Sequence, residues 1–200
     1  LANKCIALKA NSAKTTKDTV VQFYKTNTFY DQLSGFFARK IILVEGQSEV
    51  FSLPNYFHNC NYDLIKNGVQ IIDCKGKDQI ARNYRLFKSY SCECFCLFDA
   101  DESSDEKKRG NSELTDIFNF DPSKIDKNEK DFICNSAGLY GYFGKNFESY
   151  MRNNFPDYAK QEPNIYGSKV FKAKVISENN KDYKPDFIEK IAQSMKLEKD

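Results

Sequence analysis

The apolar residues of this chain fall into short continuous runs separated by amphipathic stretches, and the alternation is clearest between residues 40 and 101. "KIILVEG" carries four apolar residues in a row and predicts a buried strand. "QSEVFSLPNYFHNC" follows at once as a helix, and its internal Pro54 predicts either a short helix or one whose first turn holds the proline. "GVQIIDCKG", bounded by Gly68 and Gly76, predicts a second strand. "KDQIARNYRLFKSY" spaces Ile80, Tyr84 and Phe87 as an amphipathic helix, and "CECFCLFDAD" predicts a third strand ending in Asp99 and Asp101. Strand, helix, strand, helix, strand in this order predicts parallel pairing through right-handed crossovers.

Outside this block the pattern is looser. "ESSDEKKRGNSELTD" is highly charged and poor in apolar residues, which predicts an exposed or mobile loop. "KDFICN" predicts another strand, and "GKNFESYMRNNF", "SKVFKAKVISENN" and "KPDFIEKIAQSMK" predict helices. Upstream, "KCIALKANS" reads as a strand and "TTKDTVVQFYKTNTFYDQLSGFF" has apolar positions near helical spacing. Residues 1–38 are therefore expected to be a lead-in segment, and residues 39–200 the domain proper. The chain begins at Leu1, so a longer parent protein is expected.

Composition narrows the reading in four places. The 200 residues suit one domain of ordinary size. Lys and Arg number 30 against 28 Asp and Glu, a formal charge of +2, so any nucleic-acid site must be a local one. The longest apolar run, "CFCLF" at residues 94–98, is far short of the ~20 residues that span a bilayer, and no signal-peptide pattern opens the chain. A soluble, cytoplasmic protein with no membrane partner is expected. The seven cysteines are odd in number and scattered, which fits free thiols in a reducing compartment. Cys92, Cys94 and Cys96 share one face of a strand, no CxxC pair exists and the single histidine is His58, so core packing is expected over zinc binding.

Candidate chemistry lies at the strand ends. In an open parallel sheet, ligands bind beyond the carboxyl ends of the strands. Glu45 ends one strand, Asp99 another, Asp101 lies two residues further, and Glu49 sits one helical turn past Glu45. Four converging carboxylates repel one another unless protons or cations occupy the cluster. Hard divalent ions suit such a site, because Mg²⁺ takes oxygen ligands and two ions together can drive phosphodiester hydrolysis. Gly46 lets backbone or phosphate approach closely. "DCKGKDQ" places Lys75 and Lys77 around Gly76 at the same edge, either as a phosphate grip or as a solvated turn. Asp105 or Glu106, just past the third strand, are candidates for an outer ligand.

"ILVEGQSE" together with "CLFDAD" resembles the Toprim fold, a mostly parallel, Rossmann-like α/β sheet flanked by helices, here with a helical C-terminal elaboration. The form "LVEGxSE" with a late lysine region resembles the C-terminal catalytic half of the OLD (overcoming lysogenization defect) family nucleases, which include the nuclease of the Gabija antiphage system. The resemblance covers roughly residues 36 to 195. It implies metal ligands at Glu45, Glu49, Asp99 and Asp101, a further one at Glu148 in "KNFESYM", and a catalytic lysine at Lys169 or Lys172 in "SKVFKAKV". Val170 stands where that family's lysine motif has a proline, which leaves the choice between the two lysines open. Lys174 is a candidate DNA-backbone contact.

The resemblance further implies DNA as substrate, Mg²⁺ or Mn²⁺ as cofactor with two ions, and Glu45 as ligand and general base. It also implies an upstream ABC-type ATPase half on the full-length chain, homo-oligomerisation, and a defence-system partner. No GxxxxGK[ST] motif occurs in these residues, so ATP enters only if such a half exists. Two other functions fit the same residues: a topoisomerase- or primase-like Toprim domain, and a non-catalytic nucleic-acid-binding scaffold. The carboxylates speak against the scaffold, since a binder of polyanions gains nothing from concentrated negative charge.

Overall fold

Ile41 and Leu43 point to one side of strand β1 (Lys40–Val44) and Ile42 and Val44 to the other, and all four are fully buried. A strand covered on both faces needs no polar alternation, which explains the continuous apolar run. The computed structural model describes residues 30–100, 105–119, 128, 130–137 and 139–200, with the backbone alone for 30–32 and 105–111. Expectations for the strand in "KCIALKANS" and for most of the stretch after it lie outside the described residues.

Helix α1 (Tyr30–Gly35) leads into β1, followed by α2 (Gln47–Asn59), β2 (Val69–Asp73), α3 (Lys77–Ser89), β3 (Glu93–Asp99) and α4 (Asp105–Phe118). Then come β4 (Phe132–Asn135), β5 (Tyr140–Phe143), α5 (Phe147–Asn154), α6 (Pro156–Gln161), a 3₁₀ turn (Glu162–Asn164), α7 (Lys169–Asn179) and α8 (Asp186–Ser194). The sheet order is β2-β1-β3-β5-β4, with β4 antiparallel to β5 and every other pair parallel. The chain steps from β1 to β2 through α2 on one face, then to β3 on the other side of β1 through α3 on the opposite face. The strand order therefore reverses at β1 and β3, and their C-terminal ends flank a topological switch point.

One core cluster joins the sheet to α2, α5, α7 and α8, and the other joins it to α3, Leu114 of α4 and the residues after α1. Phe143 at the end of β5 ties the first cluster together, its ring 5.2 Å from Phe132, 5.6 Å from Phe147 and 5.2 Å from Phe187. This contact fixes where α5 begins. Gly141 in β5 lies beneath Phe132: a Cβ there would press into that ring and stand 3.1 Å from the Ile133 carbonyl. Gly141→Ala is expected to cost about 1–3 kcal/mol of stability, measured by urea unfolding, because the crowding falls on a packed ring and on backbone.

Two sequence expectations are corrected. Pro54 lies well inside α2, which runs unbroken from Gln47 to Asn59. The proline costs roughly 3 kcal/mol. Burial of Leu53, Tyr56 and Phe57 offsets it at about 1.5–3 kcal/mol each. The charged stretch expected to be a loop is helical from Asp105 onward. Its apolar anchors, Leu114, Ile117 and Phe118, come only near its end, where Phe118 packs 5.1 Å from Tyr84 and 4.7 Å from Tyr140. Arg85 adds an ion pair to Glu113 at 3.4 Å. Finally, β5 and α6 are elements the apolar pattern did not reveal. Cys74, Cys94 and Cys96 are buried in the core as expected, with thiol pKa values pushed up by burial. Among the described residues no helix is long and apolar enough to cross a membrane.

Candidate active site

Glu45 leaves the sheet directly after β1, and Asp99 is the last residue of the neighbouring β3. The two are joined: the Asp99 N–H donates to Glu45 Oε1 at 2.6 Å. Asp99 Oδ1 in turn accepts the N–H of Phe147 at 3.0 Å, the first residue of α5. A carboxylate at a helix N-terminus meets unpaired amides and the positive end of the helix dipole, so this contact aims α5 at the switch point. Lys77, the first residue of α3, lies with its Nζ 3.9 Å from Glu45 Oε1, its side chain 2% exposed. The Gly76 N–H donates to the Glu45 carbonyl at 2.8 Å, which fixes the turn before α3 against the end of β1. Gly76 has φ +126°, a conformation that a side chain disfavours.

Two more carboxylates enter from helix first turns. Glu49 in α2 and Glu148 in α5 are both buried. Asn146 caps α5 by accepting the Ser149 N–H at 2.8 Å, and Ser168 caps α7 by accepting the Phe171 N–H at 3.3 Å. Lys169 opens α7 and places its Nζ 2.8 Å from Glu148 Oε2. Helices α2 and α7 run side by side in the same direction, since Asn55 donates to Ser177 Oγ at 2.9 Å and Asn59 to the Asn180 carbonyl at 3.1 Å. Both therefore begin at the same end of the domain, beside the C-terminal edge of the sheet.

The electrostatics show a cluster under strain. Burial pushes the Glu49 carboxyl up to about 8, its own backbone N–H opposes this, and the charges of Glu45 and Glu148 add to the rise while Lys169 counters it. Desolvation works to lower the pKa of Lys169, but the Glu148 ion pair and the charges of Asp99 and Glu49 outweigh it and leave it raised. Glu148 Oε1 is buried without a hydrogen-bond partner. An orphaned carboxylate oxygen, a neighbouring acid held protonated, and donors that are all hard oxygens fit a divalent cation such as Mg²⁺ or Mn²⁺. Among the described residues no three His, Cys, Asp or Glu side chains form a ready-made metal cage. Mg²⁺ commonly takes one or two carboxylates and keeps its waters, so a complete cage is not required.

The expected residues separate clearly. Glu45, Glu49, Asp99, Glu148 and Lys169 come together. Asp101 lies outside the described residues, as do the side chains of Asp105 and Glu106. Lys172 is half-buried and, like Lys169, acts on Glu162, the partner of Arg152 at 2.6 Å; of the two, Lys169 is the one whose Nζ lies on Glu148. Lys174 lies 3.8 Å from Glu178 and 5.7 Å from the Phe51 ring centre. Lys75 turns back on Asp73, its Nζ on one carboxylate oxygen and its N–H 2.7 Å from the other. Lys77, expected as a phosphate grip or part of a solvated turn, is the buried first residue of α3 under an anchored turn and points at Glu45. Sequence reading passed over Asp73, a buried carboxylate that ends β2 opposite Val44. Its signal was the same as that of Asp99, an acid closing an apolar run.

Residues 36–101 match the family model described as overcoming lysogenization defect protein-like, TOPRIM domain. Among solved structures, the chain is similar to the C-terminal region of the Burkholderia pseudomallei OLD protein, at 17% identity and a TM-score of 0.58, covering 80% of this chain and 98% of that one. It is also similar to the C-terminal region of the Xanthomonas campestris pv. campestris OLD protein, at 14% identity and a TM-score of 0.56, covering 80% and 95%. At these identities the likeness concerns the fold. A search among curated protein sequences gave no significant match.

Proposed function

We propose that this chain, whose residues 36–101 match the OLD-like Toprim family model, is a divalent-metal-dependent endonuclease that hydrolyses phosphodiesters of DNA. The observation that carries the reading is the buried pair Glu49 and Glu148 beside the half-buried Glu45, facing Lys169, with an unpartnered oxygen on Glu148. Such repulsion is costly in a site with only a structural role, and it is relieved by cations.

Glu45, Glu49, Asp99 and Glu148 would hold the ions, with Asp101 as a further ligand. When bound, a divalent ion supplies Lewis-acid stabilisation of phosphoryl oxygens and a water acidic enough to attack near neutral pH. The Asp99 N–H and Lys77 fix the Glu45 carboxylate in one orientation, which suits a ligand and a base that must meet its proton in a set geometry. Glu49 gives up its proton on becoming a ligand. Lys169, with its side chain 60% exposed despite the ion pair, can reach a substrate phosphate and stabilise the negative charge that grows on it. Control by an ATPase half, homo-oligomerisation and a role in phage defence belong to this proposal through the OLD-like domain alone.

Relaxation of supercoiled plasmid tests the reading. Nicked or linear product is expected with Mg²⁺ or Mn²⁺ and none with EDTA; equal cutting in EDTA would refute it. Lys169→Met is expected to lower the rate about 10²-fold with little change in DNA binding. Lys172→Met is expected to stay within a few-fold of wild type, and the reverse order of the two would reassign the catalytic lysine.

A further inference from the structure

Two ion pairs, one at the start of α7 and one in the last turn of α5, share an arrangement in which the acid is covered and the cation faces solvent. The Glu148 side chain is 4% exposed and that of its partner Lys169 60%; the Glu162 side chain is 16% exposed and that of its partner Arg152 44%. The pairs are neighbours. Arg152 stands one helical turn after Glu148 on the same face of α5, and its pKa is raised by Glu162 first and by the charge of Glu148 as well. Lys172 stands one turn after Lys169 on α7. The Arg152 hydrogen bond holds the Glu162 carboxyl below its ordinary range against the effect of burial, and the charges of Lys172 and Lys169 add to that lowering. Arg152 grips Glu162 by one edge of its guanidinium: Nε donates to Oε2 at 2.6 Å and Nη2 to Oε1 at 2.7 Å. Its Nη1 has no hydrogen-bond partner among the described residues.

We infer that Arg152 is a contact for a backbone phosphate of the nucleic acid, beside the phosphate that reaches Lys169. The inference rests on the nuclease reading for the identity of the ligand, and deepens it by naming a binding residue outside the carboxylates and lysines of the site. A planar guanidinium fork fits two oxygens of a phosphate as it fits those of a carboxylate. Its five donors let Arg152 keep Glu162 on one edge and offer the other to an anion. An anion arriving from solvent meets the exposed cations before the covered acids. The charges also fit a polyanion: Lys169 and Arg152 match Glu148 and Glu162, and Lys172 leaves the group one positive charge in surplus. Metal ions on the carboxylates neutralise the phosphate they touch, whereas the next phosphate along needs a cation of its own near so acidic a site.

The test is fluorescence anisotropy in EDTA with a labelled DNA duplex, repeated over a series of salt concentrations. Arg152→Met is expected to weaken binding about tenfold. It is also expected to make the slope of log affinity against log salt shallower by about 0.9, the loss of one phosphate contact. Glu162→Gln breaks the same ion pair but leaves the cation, so it is expected to keep the wild-type slope and to bind at least as tightly as wild type. The contrast separates two roles of Arg152: if the pair only fastened α5 to the 3₁₀ turn, both variants would act alike. Melting temperatures of the two variants control for folding. The inference is overturned if the wild type does not bind the duplex, if Arg152→Met keeps the wild-type affinity and slope, or if the two variants weaken binding equally. Because binding in EDTA involves no cutting, a chain that shows the contrast yet never cleaves with Mg²⁺ would refute the nuclease reading and leave the phosphate contact standing.

Discussion

Glu45→Gln and Asp99→Asn are each expected to lower metal-dependent cleavage by about 10³-fold or more, since several kcal/mol of charge stabilisation depend on their carboxylates. The amides are chosen for what they keep. Asp99 Oδ1 accepts the Phe147 N–H, and an amide oxygen can accept it too, so α5 stays aimed at the site. Glu45 Oε1 accepts the Asp99 N–H, and the same holds there. Alanine at Asp99 would abandon the amide at the start of α5, at about 0.5–2 kcal/mol, and confuse loss of chemistry with loss of structure. Single-turnover nicking rates, read beside melting temperatures, make the distinction. Amide variants that keep activity within tenfold of wild type would move the catalytic centre elsewhere.

The metal-free chain is expected to lose stability as the pH rises from about 4.5 to about 8. When folded, Glu49 holds its proton up to about pH 8, whereas the unfolded chain releases it near 4.5. Between those values the folded state binds more protons, so stability falls by roughly 1.4 kcal/mol per pH unit, then levels off above the folded value. Glu49→Gln removes the titrating group and is expected to flatten the profile and raise the metal-free melting temperature at pH 8. Mg²⁺ should stabilise the wild type more at pH 8 than at pH 5.5, because ion and proton compete for the same carboxylate. Thermal melts across this range, with EDTA or excess Mg²⁺, measure both effects. A variant as pH-sensitive as wild type would show that Glu49 is not the titrating group.

The central block was legible because buried parallel strands write themselves as apolar runs, and an acid directly follows β1 and ends β3. Glu45 and Asp99 could be paired from sequence since each closes a predicted parallel strand, and ligands bind beyond the carboxyl ends of such strands. The rest was hidden for physical reasons. "YGYF" in β5 is buried on both faces yet short and interrupted by Gly141, whose role is to make room for Phe132. The first two turns of α4 are polar, and the helix is secured by apolar residues only near its end. Pro54 suggested a break that the packing of α2 overrides. Lys77 looked like any surface lysine beside a glycine, and only the hydrogen bond from Gly76 to Glu45 shows why it turns inward. That Lys169 stands beside Glu148 was not legible either, since it depends on the placing of α7, which packs on α2 through contacts between segments over a hundred residues apart.

That late contact also sets an order of events during synthesis. Every carboxylate of the site leaves the ribosome before Lys169 does, and Lys169 is the residue that pairs with Glu148. A nascent chain stopped short of α7 thus carries the acids without the cation that pairs with Glu148. If the nuclease reading holds, a chain that has not yet made α7 is expected not to cut, because the lysine that faces the acids is still missing.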